Sequence, residues 1–212
     1  MTVSYTRPER VADTIVQAVG VTSAAIAVAV LLGFTIAAGS AERIVAAAIY
    51  GFGLLATFGF SAAYHLCPTP VWKERLRRCD HAAIYLMIAG TYTPLALVAI
   101  GGATGIALLA AVWTVAFVGL VLKLGWPRRF ERLSLVLYLA LGWCGLFALG
   151  AIIAALPVPA LILLLVGGLL YTVGVGFHVW ERLKFQNAIW HGCVLSAAAC
   201  HYAAVIQSLL PS

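Results

Sequence analysis

The formal charges of this 212-residue chain leave five intervals with no Asp, Glu, Lys or Arg: 14–41, 44–72, 81–122, 133–180 and 185–212. A helix that crosses the hydrocarbon core of a bilayer needs about 20 predominantly apolar residues. Three of the intervals have room for one such helix. The other two, 42 and 48 residues long, have room for two, and each carries turn residues near its middle: Gly101-Gly102 in one, Pro157-Val158-Pro159 in the other. The pattern predicts seven spans, over about 14–38, 44–66, 81–100, 103–122, 133–155, 160–180 and 188–209. Composition agrees. Hydrophobic residues make up 64% of the chain and charged residues 9%, against about 25% charged in a soluble domain. The expectation is an all-α integral membrane protein, a single seven-transmembrane helix bundle over 1–212. A soluble domain, a disordered chain and a disulfide-framework miniprotein are excluded.

Assigning the loops alternately to two faces gives an independent check. Twelve of the 13 Lys and Arg residues fall on the face of the N-terminus, and only Arg43 falls on the other. Short loops rich in Lys and Arg stay in the cytoplasm, so the N-terminus is expected inside and the C-terminus outside. The chain is then expected to be a multi-pass membrane protein with its basic loops in the cytoplasm. Topology accounts for the net charge of +6. The basic residues form no run with interleaved stacking aromatics, so no nucleic-acid partner is expected. Glu9 and Asp13 precede the first apolar stretch, which is longer than the core of a signal peptide; it should act as an uncleaved insertion signal. The five cysteines form no CxxC pair and read as small apolar packing residues. Tyr85, Trp72, Trp126 and Trp180 read as interfacial aromatics.

Polar and ionisable residues within a membrane span are costly and point to function. On this map His65 ends span two, Asp80 and His81 open span three, His178 ends span six and His191 opens span seven, all at the cytoplasmic level. Ser61 lies four residues before His65, on the same helix face and about 6 Å away along the axis. His201 lies deeper and reads as a helix–helix hydrogen-bonding group. Imidazoles with a carboxylate suit zinc, and a zinc site with an open position acidifies water enough to cleave an ester or amide. Spacing alone leaves plainer roles open: Asp80 as a helix N-cap, Ser61 bonded to a carbonyl of its own helix, and His65 and His191 as interfacial residues.

Three segments sharpen this reading. They are Ser61-Ala62-Ala63-Tyr64-His65, the run from Asp80-His81 through Ala89-Gly90-Thr91-Tyr92-Thr93-Pro94, and Ala188-Ile189-Trp190-His191. In these the chain resembles the hemolysin III family, the bacterial branch of the superfamily that includes the adiponectin receptors. The resemblance implies a cytoplasmic-side zinc with His65 and His191 as ligands. It implies that Asp80 positions the water or binds the metal directly, and that Ser61 stands on the oxyanion side. Two positions depart from the family pattern. The His expected four residues before His191 is Asn187, and the His that ends the family's opening block, here Glu9, Asp13 and Gln17, is Gln17. The third protein ligand is therefore open, with Asp80 and His178 as candidates. The leading expectation is hydrolysis of a lipid amide or ester, with Asp80 as general base and Ser61 stabilising the oxyanion. The rival is a receptor or regulator of membrane state with structural zinc and no turnover. A cytolytic pore, which the family name suggests, is disfavoured, because no span has a polar stripe to line a channel.

Overall fold

A computed structural model describes residues 6–126, 129 and 131–209. The elements are α1 (Arg7–Ala37), α2 (Ala41–Leu66), α3 (Pro70–Pro94) with a π-helical extension (Leu95–Ile100), α4 (Gly102–Gly125), α5 (Glu131–Gly142), a 3₁₀ segment (Cys144–Ala148), α6 (Leu149–Ala155), α7 (Val158–Val179) and α8 (Gln186–Leu209). Seven of the resulting helical stretches are long and apolar enough to cross a membrane, with span three running Pro70–Ile100 and span five Leu133–Ala155. The chain is therefore a multi-pass membrane protein in contact with membrane lipid. Span three begins well before the uncharged interval: the charged segment from Lys73 to Asp80 is helical and extends α3 at its start, with Pro70 in its first turn.

Spans two and three form the centre, with more than half of their apolar stretches buried. α1 and α8 pack against each other and α1 against α2, while α4 packs on α3 and α7 on α8. The inward face of α1 is Asp13, Gln17, Gly20, Ala24, Val28, Leu31 and Thr35, a stripe at helical spacing. Its upper part is apolar core against α2 and α8, but its first two members are polar. Glycine allows a close crossing of spans two and three: a Cβ on Gly53 of α2 would lie 2.8 Å from the Leu86 carbonyl of α3. Close to this crossing, Thr57 donates to the Gly53 and Ala83 carbonyls.

The Ala89–Pro94 segment does structural work. Thr91 and Thr93 return hydrogen bonds to the Met87 and Ala89 carbonyls, and Trp113 of α4 donates to Thr93. Tyr92 reaches across to span five, where α5 stops. Its hydroxyl donates to the Gly142 carbonyl and accepts from the Gly145 N–H, each at 2.8 Å. A helix break inside a bilayer leaves backbone groups that lipid cannot satisfy; Tyr92 satisfies one on each side. The turn out of span three uses Gly101 and Gly102, at φ +63° and +55°, a left-handed conformation that glycine adopts without steric cost.

Trp72, Trp126 and Trp180 are more than half exposed, as interfacial aromatics should be. Tyr85 is fully buried. A Cβ on Gly119 would meet its ring, which packs on Tyr138; the missing side chain at 119 draws Tyr85 into the bundle. All five cysteines are free.

Candidate metal centre

Three spans converge where α1, α2 and α8 meet at the end of the bundle that carries His65. The loop before α8 sets this up. Glu9 caps α1 by accepting from the backbone and side chain of Thr6, and its other oxygen accepts the Phe185 N–H at 3.1 Å. Phe185 sits at φ +59°, an uncommon conformation for a side-chain-bearing residue, and this hydrogen bond helps hold it there. The start of α8 is thus tied to the first turn of α1. One turn further along each helix, Asp13 and His191 face each other.

Asp13 is the hub. One carboxylate oxygen is 2.9 Å from His65 Nδ1 and the other is 2.7 Å from His191 Nδ1. The His65 and His191 rings stand edge to face with centroids 4.6 Å apart. A buried carboxylate is costly unless paired and hydrogen-bonded, and here each oxygen meets an imidazole N–H. With Nδ1 donating, each ring keeps the Nε2 lone pair. Gln17, one turn after Asp13, packs its amide nitrogen 3.1 Å from His191 Nδ1 and donates to Ser61 Oγ at 3.0 Å. Ser61 Oγ lies 3.4 Å from His191 Nε2.

The ligand atoms of Asp13, His65 and His191 lie within 4.8 Å of one another, so this buried group could hold a metal ion. The chemistry fits: two imidazole nitrogens and a carboxylate oxygen are a common donor set for a catalytic zinc with one open position. Asp13 can serve such an ion as a ligand, or as the carboxylate that orients both histidines from behind.

Of the residues singled out from the sequence, His65 and His191 meet in this group. Asp80 is not a member of it; its carboxyl interacts with Ser61 beside the group. Asn187 lies one turn before His191. His81 and His178 face the same interior rather than lipid, and His201 pairs with the Leu164 carbonyl between spans six and seven. Asp13 is the residue the uncharged intervals concealed. Its charge sets the boundary of the first interval, so it reads as flanking sequence, yet α1 starts at Arg7 and carries it inside. The signal that finds it is the i, i+4 pair Asp13–Gln17 in phase with the apolar stripe of α1.

All these groups open onto one cavity of about 1320 Å³ that runs from the charged end at Glu9 and Arg77 down to His201, with Ile88, Leu95 and Leu164 among its apolar walls. It exceeds the roughly 300–1,000 Å³ of a drug-sized ligand site.

The model of the family described as "Haemolysin-III related" matches residues 15–202 of this chain. The chain belongs to the hemolysin III family. It is 36% identical to the Hemolysin-3 of Bacillus cereus over 96% of this chain and 93% of the relative. To the Hemolysin-3 homolog of Bacillus subtilis it is 37% identical, over 95% of each. A human relative, the monocyte to macrophage differentiation factor, is 30% identical over 77% of this chain and 70% of that protein. As a hemolysin III protein, the chain carries the resemblance read from its Ser61–His65, Asp80–Pro94 and Ala188–His191 segments across nearly its whole length.

Proposed function

We propose that this hemolysin III protein is a zinc-dependent hydrolase of a lipid ester or amide in a bacterial cytoplasmic membrane, with its site at the cytoplasmic face. The observation that carries the reading is the convergence of Asp13, His65 and His191 at the polar end of a long, mostly apolar cavity. Those three residues would hold the ion. Bound there, zinc supplies a Lewis acid that polarises a carbonyl and makes water acidic. The remaining roles belong to the protein. Asp80 takes the proton of the attacking water on its carboxylate. The Ser61 hydroxyl, held by Gln17, donates to the oxygen on which negative charge develops. The apolar walls hold the acyl chain and keep bulk water from its length.

The second reading, a regulator of membrane state without turnover, rests on a different feature of the same residues. The Asp13–His65 and Asp13–His191 contacts already join spans one, two and seven, so an ion there can act as a staple. Metal analysis of the purified protein, followed by assay against an amide and an ester of a long-chain acid, separates the two. Stoichiometric zinc with turnover is expected. Zinc without turnover moves the protein to the regulatory reading, and ion leak from empty liposomes would make it a pore.

A further inference from the structure

The triad draws on α1, α2 and α8. The facing wall of the same cavity mouth, from α3, α4 and α7, carries a second set of nitrogen groups: Arg77, His81, Lys123 and His178. Lys123 is the informative member. It lies in the last turn of α4, where a lysine ordinarily extends its ammonium outward to the interface. Instead it is 3% exposed and faces the cavity. It makes no ion pair among the described residues. The carboxylate that acts on it is Glu131, which Arg77 already engages at 2.9 Å while also pairing with Glu74 at 3.2 Å. His178 adds a buried Nδ1 with no hydrogen-bond partner. His81 interacts electrostatically with Lys123, Arg77 and His178, and also with His65 of the triad, so the two walls form one mouth.

Three of the other carboxylates at this mouth are engaged elsewhere. Glu9 holds Thr6 and Phe185, Asp13 holds two imidazoles, and Asp80 is beside Ser61. Glu181, on the loop after α7, acts on His178. A buried ammonium, a guanidinium and an unpartnered imidazole nitrogen are suited to an anion with several oxygens. An acyl chain in the depth, with its carbonyl at the triad, would place the remainder of the molecule against this wall.

We infer that Arg77, His81, Lys123 and His178 form a subsite for a phosphate headgroup, so that the lipid admitted to the cavity is a phosphate-bearing acyl lipid rather than a neutral one. Its use as substrate rests on the hydrolase reading; its binding does not. The test titrates dodecyl phosphate, dodecanoate and dodecanol into the full chain in a neutral maltoside detergent, by calorimetry, for the parent, Lys123→Met and Lys123→Arg. The parent should bind dodecyl phosphate at least about 10-fold more tightly than dodecanol, the scale of one charge-assisted contact. Lys123→Met should lose that preference while binding dodecanol as the parent does, which also shows that it is folded, and Lys123→Arg should keep it. Equal binding of phosphate and alcohol by the parent overturns the subsite, as does an unchanged preference in Lys123→Met. A parent that prefers dodecanoate to dodecyl phosphate through Lys123 has a site for a fatty-acid product, and the phosphate assignment is overturned. Should Lys123→Met not fold, loss of the preference in Arg77→Gln supports the subsite and its retention overturns it. Tight phosphate binding without lipid turnover removes the hydrolase reading and leaves the subsite standing. Equal turnover of neutral and phosphate-bearing esters does the reverse.

Discussion

The candidate site depends on a single carboxylate shared by two imidazoles. Whether Asp13 ligates an ion or orients His65 and His191 from behind, removing its charge weakens the site, because loss of such a group commonly costs about 10–100-fold in metal affinity. Asp13→Asn should therefore bind zinc at least about 10-fold more weakly than the parent, measured by competition with a chelator in detergent; unchanged affinity would remove Asp13 from the site. Asn187 gives the converse test. It precedes His191 by four residues, so the two share a helix face, and it lines the same cavity. With Asp13 as the third donor, Asn187→His alone should change affinity little; with Asp13 only orienting the histidines, it should tighten binding. On the Asp13→Asn background the new imidazole should recover most of the loss, and no recovery would mean that position 187 cannot reach the ion. At this scale the sequence showed His65, His191 and Ser61, because a histidine or serine in an uncharged interval stands out. Asp13 stood out less, since an acidic residue at the edge of an apolar run is ordinarily solvated sequence. Only the register of α1 reveals that it faces inward.

The elements are continuous where the charge pattern is continuous and broken where side chains can satisfy the break. Span five shows this most clearly. Its helix is interrupted at Trp143, and the hydroxyl of Tyr92 bridges the Gly142 carbonyl and the Gly145 N–H. Tyr92→Phe keeps the ring and strands both backbone groups, at about 1–3 kcal/mol for each buried group left unpaired. The variant should melt several degrees below the parent in thermal unfolding in detergent, with zinc affinity unchanged because the triad lies on other helices. An unchanged melting temperature would show that water or a shifted backbone fills the gap. The number of spans and most of their limits were legible in the sequence, since lipid penalises charge over lengths of about 20 residues; the starts of spans one and three were not, because their first turns carry the charges that bound the uncharged intervals. The break in span five was not legible, because no Pro marks it and Gly142 and Gly145 are two of many glycines. The inward turn of Tyr85 was equally hidden. It depends on the missing side chain of Gly119 on another helix, a relation that no local pattern contains.

An odd number of spans puts the two termini on opposite faces of the membrane, so one choice fixes every loop and the side on which the triad works. The bundle is compatible with either orientation, and the choice belongs to the basic residues. Twelve of 13 lie on the N-terminal face, with Arg43 alone opposite. Translocating such loops is disfavoured in proportion to their Lys and Arg, whereas acidic residues contribute little, so Glu9, Glu74 and Glu131 do not offset the bias. The N-terminus should therefore be cytoplasmic, and with it the mouth of the cavity near Arg77 and Lys123, on the face where the basic loops lie. A reporter active only outside the cytoplasm, fused after Ser212, should give signal, and a cytoplasm-only reporter at the same position should be silent. The reverse result would place the triad and its cationic wall on the outer face. Because the bias is spread over the N-terminal segment and three loops, removing any one pair of charges should leave the orientation unchanged. Moving basic residues to the loop at Arg43 while neutralising Arg7 and Arg10 should begin to produce a mixed population, detected as signal from both reporters.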